Sequence, residues 1–284
     1  MPSPEIPVPA WEINPSSGWL DLRIRGSWHY KDLVLRLVRR DFLVSYRQTV
    51  LGPIWLILQP LLTTLTYIVI FSKVAGISTD GLPAMPFYLA GILVWNFFSE
   101  CMPAVSSTFS SNAAIFGKVY FPRLVVPVAA VVSQLLRFTI QLGLFFPVLL
   151  YYTLYRRTIH PNLLMLAFPL LIVIIAGIAL GTGLILSVLT AKYRDLNNLI
   201  YFGLRLMMFV TPVIYPLSIV PSGIRFWVRI NPLTPLTEAF RYAFLGKGQF
   251  SWGYLAYSFI CMAVILFAGI ALFNRMEDQA MDVL

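Results

Sequence analysis

Gln134, Arg137 and Gln141 recur at i, i+3 and i+7 in this sequence, the spacing that places side chains along one face of a helix. Tyr201 and Arg205, one helical turn apart, share a face further along the chain. A guanidinium binds phosphate or carboxylate oxygens through two parallel hydrogen bonds. The chemistry that both polar faces offer is therefore attraction of an anionic group such as a phosphate.

The segments that carry these residues are almost free of charge. Hydrophobic residues make up 58% of the 284 residues and charged residues 12%, whereas soluble domains are nearer a quarter charged. Crossing the ~30 Å core of a bilayer takes about 20 mostly apolar helical residues, and there each backbone polar group must bond within its own segment. No Asp, Glu, Lys, Arg or His occurs in residues 48–72, 81–99, 101–117, 138–155, 161–191, 206–224 and 248–274. These runs predict an all-α integral membrane protein.

Polar breaks divide the apolar sequence into spans. Residues 28–47 predict an amphipathic interface helix, with Lys and Arg on its polar side. Residues 217–247, interrupted by Pro and Arg, suit two short re-entrant helices in or on the outer leaflet. The distribution of Lys and Arg predicts that both termini are cytoplasmic. We expect a single domain over 28–284 after an irregular lead-in over 1–27, with six spans at about 53–72, 86–108, 125–152, 162–190, 197–216 and 252–273.

Glu100, Arg137 and Arg205 are the ionisable residues that interrupt these spans. A charge at the centre of a bilayer costs at least about 2.5–3.5 kcal/mol on insertion scales, so it usually faces water or a partner. Two interpretations stay open. The three residues line a wet pathway that attracts an anion, or Glu100 pairs with an arginine and holds helices together.

Two further patterns have both a packing and a functional interpretation. Gly177-x-x-x-Gly181 allows close helix approach, within the chain or in a dimer. Aromatic residues, 15% of the chain, form an interfacial belt when they lie near span ends. Their ring faces also suit packing against sugar rings, so the sequence leaves both patterns open.

The motifs of a self-sufficient enzyme or pump are missing. There is no Gly-x-x-x-x-Gly-Lys-Ser/Thr loop for nucleotide phosphates and no metal-binding cluster of His, Cys and carboxylates. Glu100 is the only acidic residue within the predicted spans, whereas proton-driven carriers usually need several. The net charge of +9 fits cytoplasmic loops better than nucleic-acid binding. We expect a non-catalytic transport subunit without cofactor or metal, driven by a separate ATPase on its cytoplasmic elements.

Four motifs occur in order along the chain. They are Arg40-Asp41-x-x-x-x-Tyr46-x-x-x-x-Leu51-Gly52-Pro53-x-Trp55, Lys118-Val119-Tyr120-Phe121-Pro122-Arg123, Tyr193-Arg194-Asp195-Leu196 and Asn231-Pro232-x-Thr234-Pro235-x-x-Glu238-x-x-Arg241. Together they resemble the first-span entry, two cytoplasmic loops and the outer re-entrant region of ABC polysaccharide-export permeases. The likeness covers almost all of residues 19–284, and it implies the fold of a type 2 (ABC-2) exporter transmembrane domain.

The resemblance implies a homodimeric permease, surrounded by the lipids of the bacterial inner (cytoplasmic) membrane, with two copies of a separate ATPase that holds ATP and Mg²⁺. A channel at the dimer axis would export a polyprenyl-pyrophosphate-linked polysaccharide: O-antigen first, or capsule or teichoic acid. It assigns ATPase coupling to Arg40, Asp41, Tyr46, Lys118, Tyr120, Arg123, Tyr193, Arg194 and Asp195. It assigns a re-entrant gate to Pro216, Pro221, Asn231, Pro232, Pro235, Glu238 and Arg241. Position alone, not the resemblance, suggests the channel and lipid-pyrophosphate residues Glu100, Gln134, Arg137, Gln141, Tyr201 and Arg205.

Three other functions stay open at this point. A drug or small-lipid exporter would use the same fold. A membrane glycosyltransferase acting on polyprenyl lipids would need paired acidic residues on a polar loop, and the adjacent pair Glu277-Asp278 lies in a predicted charged tail from Arg275. A passive channel would need no docking loops, and its transport would persist without nucleotide.

Overall fold

A computed structural model describes residues 30–109, 111, 121–193 and 195–281. Within these ranges the regular elements are helical and no strand occurs, so the expected all-α fold is confirmed. We number the main helices in chain order. They are α1 Lys31–Tyr46, α2 Trp55–Tyr67, α3 Ala84–Ser106, α4 Val125–Leu154, α5 Phe168–Lys192, α6 Leu196–Val210, α7 Ser222–Ile230, α8 Leu233–Leu245 and α9 Trp252–Met281.

In the described ranges, five helical segments are long and apolar enough to cross a bilayer. Two of them include adjoining turns: a π-helical stretch extends α2 to Val74, and a 3₁₀ turn from Leu163 leads into α5. The five are Gly52–Val74, Ala84–Ser106, Val125–Leu154, Leu163–Lys192 and Trp252–Arg275. Five of the six predicted spans therefore have counterparts whose ends agree within two residues.

The remaining prediction, a span over 197–216, is wrong in length. Its helix α6 ends at Val210, and 15 residues at 1.5 Å each reach about 22 Å, short of the ~30 Å hydrocarbon core. Pro212 has no N–H to continue the helix and disfavours helical geometry in the residue before it. Thr211 is accordingly extended. The segment stays apolar beyond Val210, so its composition gave no indication that the helix ends there.

The two chain ends differ from expectation in their details. Helix α9 continues to Met281, so the segment expected to be a short tail from Arg275 prolongs the last helix. At the other end, α1 begins at Lys31, inside the predicted 28–47 segment. Residues 1–29 lie outside the described part of the chain, and the lead-in over 1–27 stays a prediction.

Helix α3 is the centre of the fold because other helices cover it along its whole length. It packs against α4 and α5, and its side chains from Phe87 to Val105 dominate the main hydrophobic core. Helix α5 in turn packs on α9, where a Cβ added to Gly181 would lie 2.7 Å from the Cα of Leu266. One added to Gly177 would lie 2.5 Å from the sulfur of Met262. The Gly177/Gly181 pattern therefore serves a contact within this chain.

The helix bundle has two distinct ends. At one end, Leu37 of α1 packs with Val125 and Ala129 in the first turns of α4. At the other end, α8 packs on the second half of α4, where the rings of Phe145 and Phe244 lie 5.5 Å apart. Because α4 runs the length of the bundle, α1 and α8 lie at opposite ends, which we call the α1 end and the α8 end.

Candidate functional site

A polar cavity lies beside Arg137, towards the α1 end. It has a volume of about 480 Å³, is open on one side and is lined by residues of α1, α2, α3, α4 and α6. We call it the Arg137 cavity. Arg205 does not line it, and its side chain is exposed on α6. The other five residues predicted for the channel do line it: Glu100, Gln134, Arg137, Gln141 and Tyr201.

Helix α1 holds Arg137 at the wall of this cavity. Arg137 Nη2 donates a 2.7 Å hydrogen bond to Ser45 Oγ, and its Cζ lies 5.5 Å from the centre of the Tyr46 ring, a cation–π distance. Burial raises the pKa of Tyr46; the charge of Arg137 opposes this shift and that of Glu100 adds to it. The phenol is therefore neutral at physiological pH. The two predicted sets of residues therefore meet here, because Tyr46 is assigned to ATPase coupling and Arg137 to the channel.

Glu100 faces the same cavity without an ion pair. Neither of the salt bridges observed among the described residues involves its carboxylate, and it lines the cavity from α3. Ser45 and Tyr46 engage the Arg137 guanidinium instead. The alternative in which Glu100 pairs with an arginine to hold helices together is not realised in this arrangement.

A second hollow of about 380 Å³ adjoins the cavity between α1 and α4. Gln134 and Arg137 line both spaces, and Arg40 and Asp41 line the hollow from α1. Ser133 Oγ and Gln134 Oε1 are buried without a hydrogen-bond partner among the described residues. An unmade hydrogen bond at a buried group costs about 1–3 kcal/mol. These two atoms are therefore unsatisfied polar groups on two residues that line this hollow.

Two residues beside Arg137, Ser45 and Ser133, are not among those predicted from the sequence. Ser133 stands four residues before Arg137 on α4, so the helix-face spacing that identified Gln134 and Gln141 could have found it. Ser45 carries no such signal, because it meets Arg137 from 92 positions away in the chain. Only the packing of α1 on α4 brings the two together.

Several residues assigned to ATPase coupling lie at the α1 end. Arg40 and Asp41 form an ion pair of 2.8 Å with both side chains partly exposed. Arg123 directly precedes the first turn of α4, whose start is closed by a hydrogen bond from the N–H of Val126 to its carbonyl. Three further members of the set lie outside the described residues: Lys118, Tyr120 and Arg194.

The turn between α5 and α6 also belongs to the α1 end. Thr190 Oγ1, near the end of α5, donates a 2.8 Å hydrogen bond to the carbonyl of Ser106 at the end of α3. Beyond it, the side chains of Tyr193 and Asp195 are exposed. The described coupling residues therefore share one end of the bundle. Their contact with an ATPase stays a prediction.

Arg241 organises the α8 end and is 1% exposed. Its Nη1 and Nη2 donate 2.6 Å hydrogen bonds to the carbonyls of Pro212 and Val213, where the backbone leaves α6. Its Cζ lies 3.9 Å from the centre of the Phe87 ring, and Glu238 Oε1 accepts at 3.4 Å. Burial lowers the pKa of Arg241, and Glu238 opposes that shift. The guanidinium satisfies carbonyls that the broken helix leaves open.

Two neighbours complete this arrangement. Asn231 Nδ2 donates to Thr211 Oγ1 at 2.8 Å, while its Oδ1 accepts from the N–H of Leu233 at 3.0 Å and caps α8. Gly91 leaves room for the guanidinium, since an added Cβ would lie 2.6 Å from Arg241 Nη2. The contacts of Asn231 and Arg241 thus connect the break after α6 with the start of α8 and with α3 at Gly91.

The prolines assigned to the gate stand at the ends of short helices. Pro216 precedes a single 3₁₀ turn, Pro221 precedes α7, Pro232 precedes α8, and Pro235 lies in the first turn of α8. A missing N–H is harmless at such positions. The structure therefore has two short helices in the expected region, and their re-entrant position in a membrane stays a prediction.

The chain belongs to the ABC-2 type transporter family, whose model matches residues 32–245. It is similar to the O-antigen export system permease protein RfbA of Klebsiella pneumoniae, with 26% identity over 254 residues, 89% of this chain and 95% of the relative. The protein of that name from Myxococcus xanthus is 30% identical over 224 residues, 78% and 83% of the two chains. The polysialic acid transport protein KpsM of Escherichia coli is 25% identical over 253 residues, 87% and 95%. The family expected from the four motifs is confirmed.

Proposed function

We propose that this chain is the membrane subunit of an ATP-driven exporter that moves a polyprenyl-pyrophosphate-linked polysaccharide, in the first instance O-antigen, across the cytoplasmic membrane. The observation that carries the proposal is the Arg137 cavity, a polar space among apolar helices in a member of the ABC-2 family. Relatives named for O-antigen export and polysialic acid transport support a sugar polymer as the cargo.

The cavity offers the donors that a sugar phosphate needs. The bond to Ser45 uses one nitrogen of Arg137, and no other hydrogen bond of this guanidinium occurs in the described part of the chain. Its remaining N–H groups are available to phosphate oxygens. The unpartnered Gln134 Oε1 can accept from a sugar hydroxyl. The exposed rings of Trp55 and Tyr201 line the mouth, where a sugar face can pack.

A second copy of the chain would close the cavity. Helices α2 and α6 both contribute to its wall, and their other faces are apolar and exposed. Covering them with the same surfaces of a partner would turn two open cavities into one enclosed path. The large exposed side chains on these helices include Ile57, Leu62, Leu65, Leu199, Phe202 and Leu206.

Helix α1 supplies a mechanical route from an ATPase to the cavity. It packs on the start of α4 through its buried side and reaches the cavity through Ser45 and Tyr46. Movement of α1 would therefore move or release Arg137 directly. In this proposal the α1 end is cytoplasmic, ATP and Mg²⁺ stay on the separate ATPase, and this chain catalyses no reaction.

Replacement of Arg137 tests the proposal. Cells that lack their own permease gene express the Arg137→Gln or the Arg137→Lys variant. The amount of polysaccharide on the cell surface is then measured, together with the amount of permease bound to its ATPase. We expect Arg137→Gln to lower export about tenfold, the effect of losing one charge-assisted contact. Arg137→Lys keeps the positive charge but loses the guanidinium geometry that forms two parallel hydrogen bonds, so it should retain part of the export.

The matched control is Arg156→Gln, which removes the same charge from an exposed turn at the α8 end and should export as wild type. Normal export by Arg137→Gln at normal permease levels would rule out the phosphate role of the cavity. If the reconstituted permease and ATPase moved a small lipid or a drug but no polymer, the cargo would be that small molecule and not a polysaccharide.

A further inference from the structure

We infer that a second anion site lies at the α8 end, where a cavity between α7 and the start of α9 binds the phosphate of a lipid headgroup. This cavity has a volume of about 740 Å³, and we call it the Arg229 cavity. It lies at the opposite end of the bundle from Arg137. Its lining includes two arginines and three hydroxyl side chains: Arg225, Arg229, Ser251, Tyr254 and Tyr257.

Arg225 is pinned by backbone carbonyls and keeps one nitrogen free. Its Nε and Nη2 donate to the carbonyl of Val220 at 3.0 and 2.7 Å, and Nη2 also donates to that of Ser218 at 3.1 Å. No hydrogen bond of Nη1 occurs among the described residues. The side chain is therefore held in place with unused donor capacity, a pre-organised arrangement for an oxyanion.

Arg229 follows four residues later on the same face of α7. Its Nη1 donates to the Tyr254 hydroxyl at 3.1 Å and its Nη2 to Gln249 Oε1 at 2.8 Å. The guanidinium carbon lies 5.1 Å from the centre of the Tyr254 ring. Its Nε is buried without a partner in the described part of the chain. Neutral groups thus position this guanidinium and do not neutralise it.

The nearest acidic groups are engaged elsewhere. Glu238 shares a smaller hollow of about 150 Å³ with Arg229, but its carboxylate bonds to Arg241 and to the N–H of Gln249. Asp80 accepts from the Ser218 hydroxyl. Neither observed salt bridge among the described residues involves Arg225 or Arg229. The cavity therefore has two positive charges available to an anion.

The surroundings indicate that this anion is part of a lipid. Ile224, Phe226 and Trp227 on α7 are 57%, 64% and 66% exposed, and Trp252 at the start of α9 is 66% exposed. Trp and other apolar side chains beside arginines on a short amphipathic helix are typical of the headgroup depth of a membrane. A free phosphate would not need this apolar rim, whereas a lipid would place its headgroup between the arginines and its chains beside the rings.

Two lipids supply that chemistry: a bulk anionic phospholipid and the pyrophosphate end of the proposed cargo. Only the second source rests on the proposed function. Lipid binding is therefore measured separately from export. The method is native mass spectrometry of the purified full chain with undecaprenyl pyrophosphate, phosphatidylglycerol or zwitterionic phosphatidylcholine. Every protein carries Arg137→Gln, so that phosphate bound in the Arg137 cavity is not counted.

In this background, Arg225→Gln/Arg229→Gln should weaken binding of the phosphate lipids about tenfold or more, the effect of losing charge-assisted hydrogen bonds. Arg156→Gln/Arg157→Gln removes two exposed charges from the same end and should leave binding unchanged. Arg225→Gln alone keeps every contact of Arg229 and should give an intermediate loss. It serves as the test variant if the double variant does not fold.

A competition between the two anionic lipids identifies the source. Displacement of phosphatidylglycerol by undecaprenyl pyrophosphate supports the cargo, and equal competition supports a general lipid phosphate. Equal binding of phosphatidylcholine, unchanged binding by the Arg225 and Arg229 variants, or the same loss in the Arg156/Arg157 control would overturn the inference. If one of those results is obtained while export still depends on Arg137, the inference about the Arg229 cavity fails but the proposed function does not.

Discussion

Arg137 and Arg241 are two arginines in one apolar bundle, and their surroundings differ in the way that separates a binding residue from a structural one. Arg241 at the α8 end has two short bonds to carbonyls, a ring face at 3.9 Å and a carboxylate partner. Arg137 has one hydrogen bond and one ring, beside an open cavity that Glu100 also faces. Arg241 bonds to several partners at once, although its Nε is buried without one in the described part of the chain. A buried charge held by several partners stabilises a fold, whereas one with spare donors beside open space can take a ligand.

The same replacement at both sites tests this contrast most directly. Arg241→Leu should destabilise the fold by about 3–5 kcal/mol, because it leaves two backbone carbonyls and Glu238 buried without their partner. Arg137→Leu should cost only about 1 kcal/mol, the value of one hydrogen bond. The measurement is thermal unfolding in detergent, followed by thiol labelling of the fully buried Cys101 in a Cys261→Ala background. Equal losses of stability would break the comparison.

Gly91→Ala probes the Arg241 site without removing a charge. The new methyl would lie 2.6 Å from both Arg241 Nη2 and the carbonyl oxygen that it bonds, that of Val213. Both must shift, at a cost of about 1–3 kcal/mol. Gly143→Ala is the control, since an added Cβ there meets nothing within 4 Å. The same thiol-labelling melt reports both variants, and equal melting of the two would show that the close approach at Gly91 is unimportant.

Asn231→Ala should have the next smaller effect. It removes the cap of α8 and the bond to Thr211, together worth about 1–2 kcal/mol. Asn231→Asp keeps the cap acceptor and loses the donor, so it should fall between wild type and alanine. An alanine variant that unfolds at the wild-type temperature would contradict the assigned role.

Ser45→Ala should have the smallest effect on stability, about 0.5–1 kcal/mol for one partly exposed hydrogen bond. Its informative readout is coupling, because it removes the hydrogen bond between α1 and Arg137 and leaves only the Tyr46 ring contact. In a reconstituted complex we expect ATP hydrolysis to continue while polymer export per ATP falls. Ser45→Thr keeps the hydroxyl and is the control, and unchanged export per ATP in the alanine variant would disprove the Ser45 link.

Local patterns in the sequence predicted much of the architecture. Five spans predicted from charge-free runs and polar breaks match long helices within two residues at each end, because a segment in hydrocarbon must satisfy its own backbone. The spacing of Gln134, Arg137 and Gln141 correctly places them on one side of α4, where they share a cavity. The prolines of the 217–247 segment likewise indicate two short helices. These inferences succeed because helix formation and side-chain periodicity are decided within a few turns.

Predictions that depended on distant partners were less successful. Apolar composition extended α6 past Pro212, although the chain there turns to offer its carbonyls to Arg241. Charge alone left open a pairing of Glu100 with an arginine, but the guanidinium of Arg137 contacts Ser45 and Tyr46 of α1 instead. Gly177 left open whether its partner was the same chain or another copy, and Met262 answers that question.

By itself, the sequence determined the helical membrane architecture, most helix boundaries and the family, since hydropathy, periodicity and short motifs are local properties. Tertiary structure alone decided that α1 meets the Arg137 cavity through Ser45 and that Arg241 closes the break after α6. It also placed Arg225 and Arg229 around a cavity shared with α9. These contacts join residues far apart in the chain, and their geometry depends on how whole helices pack.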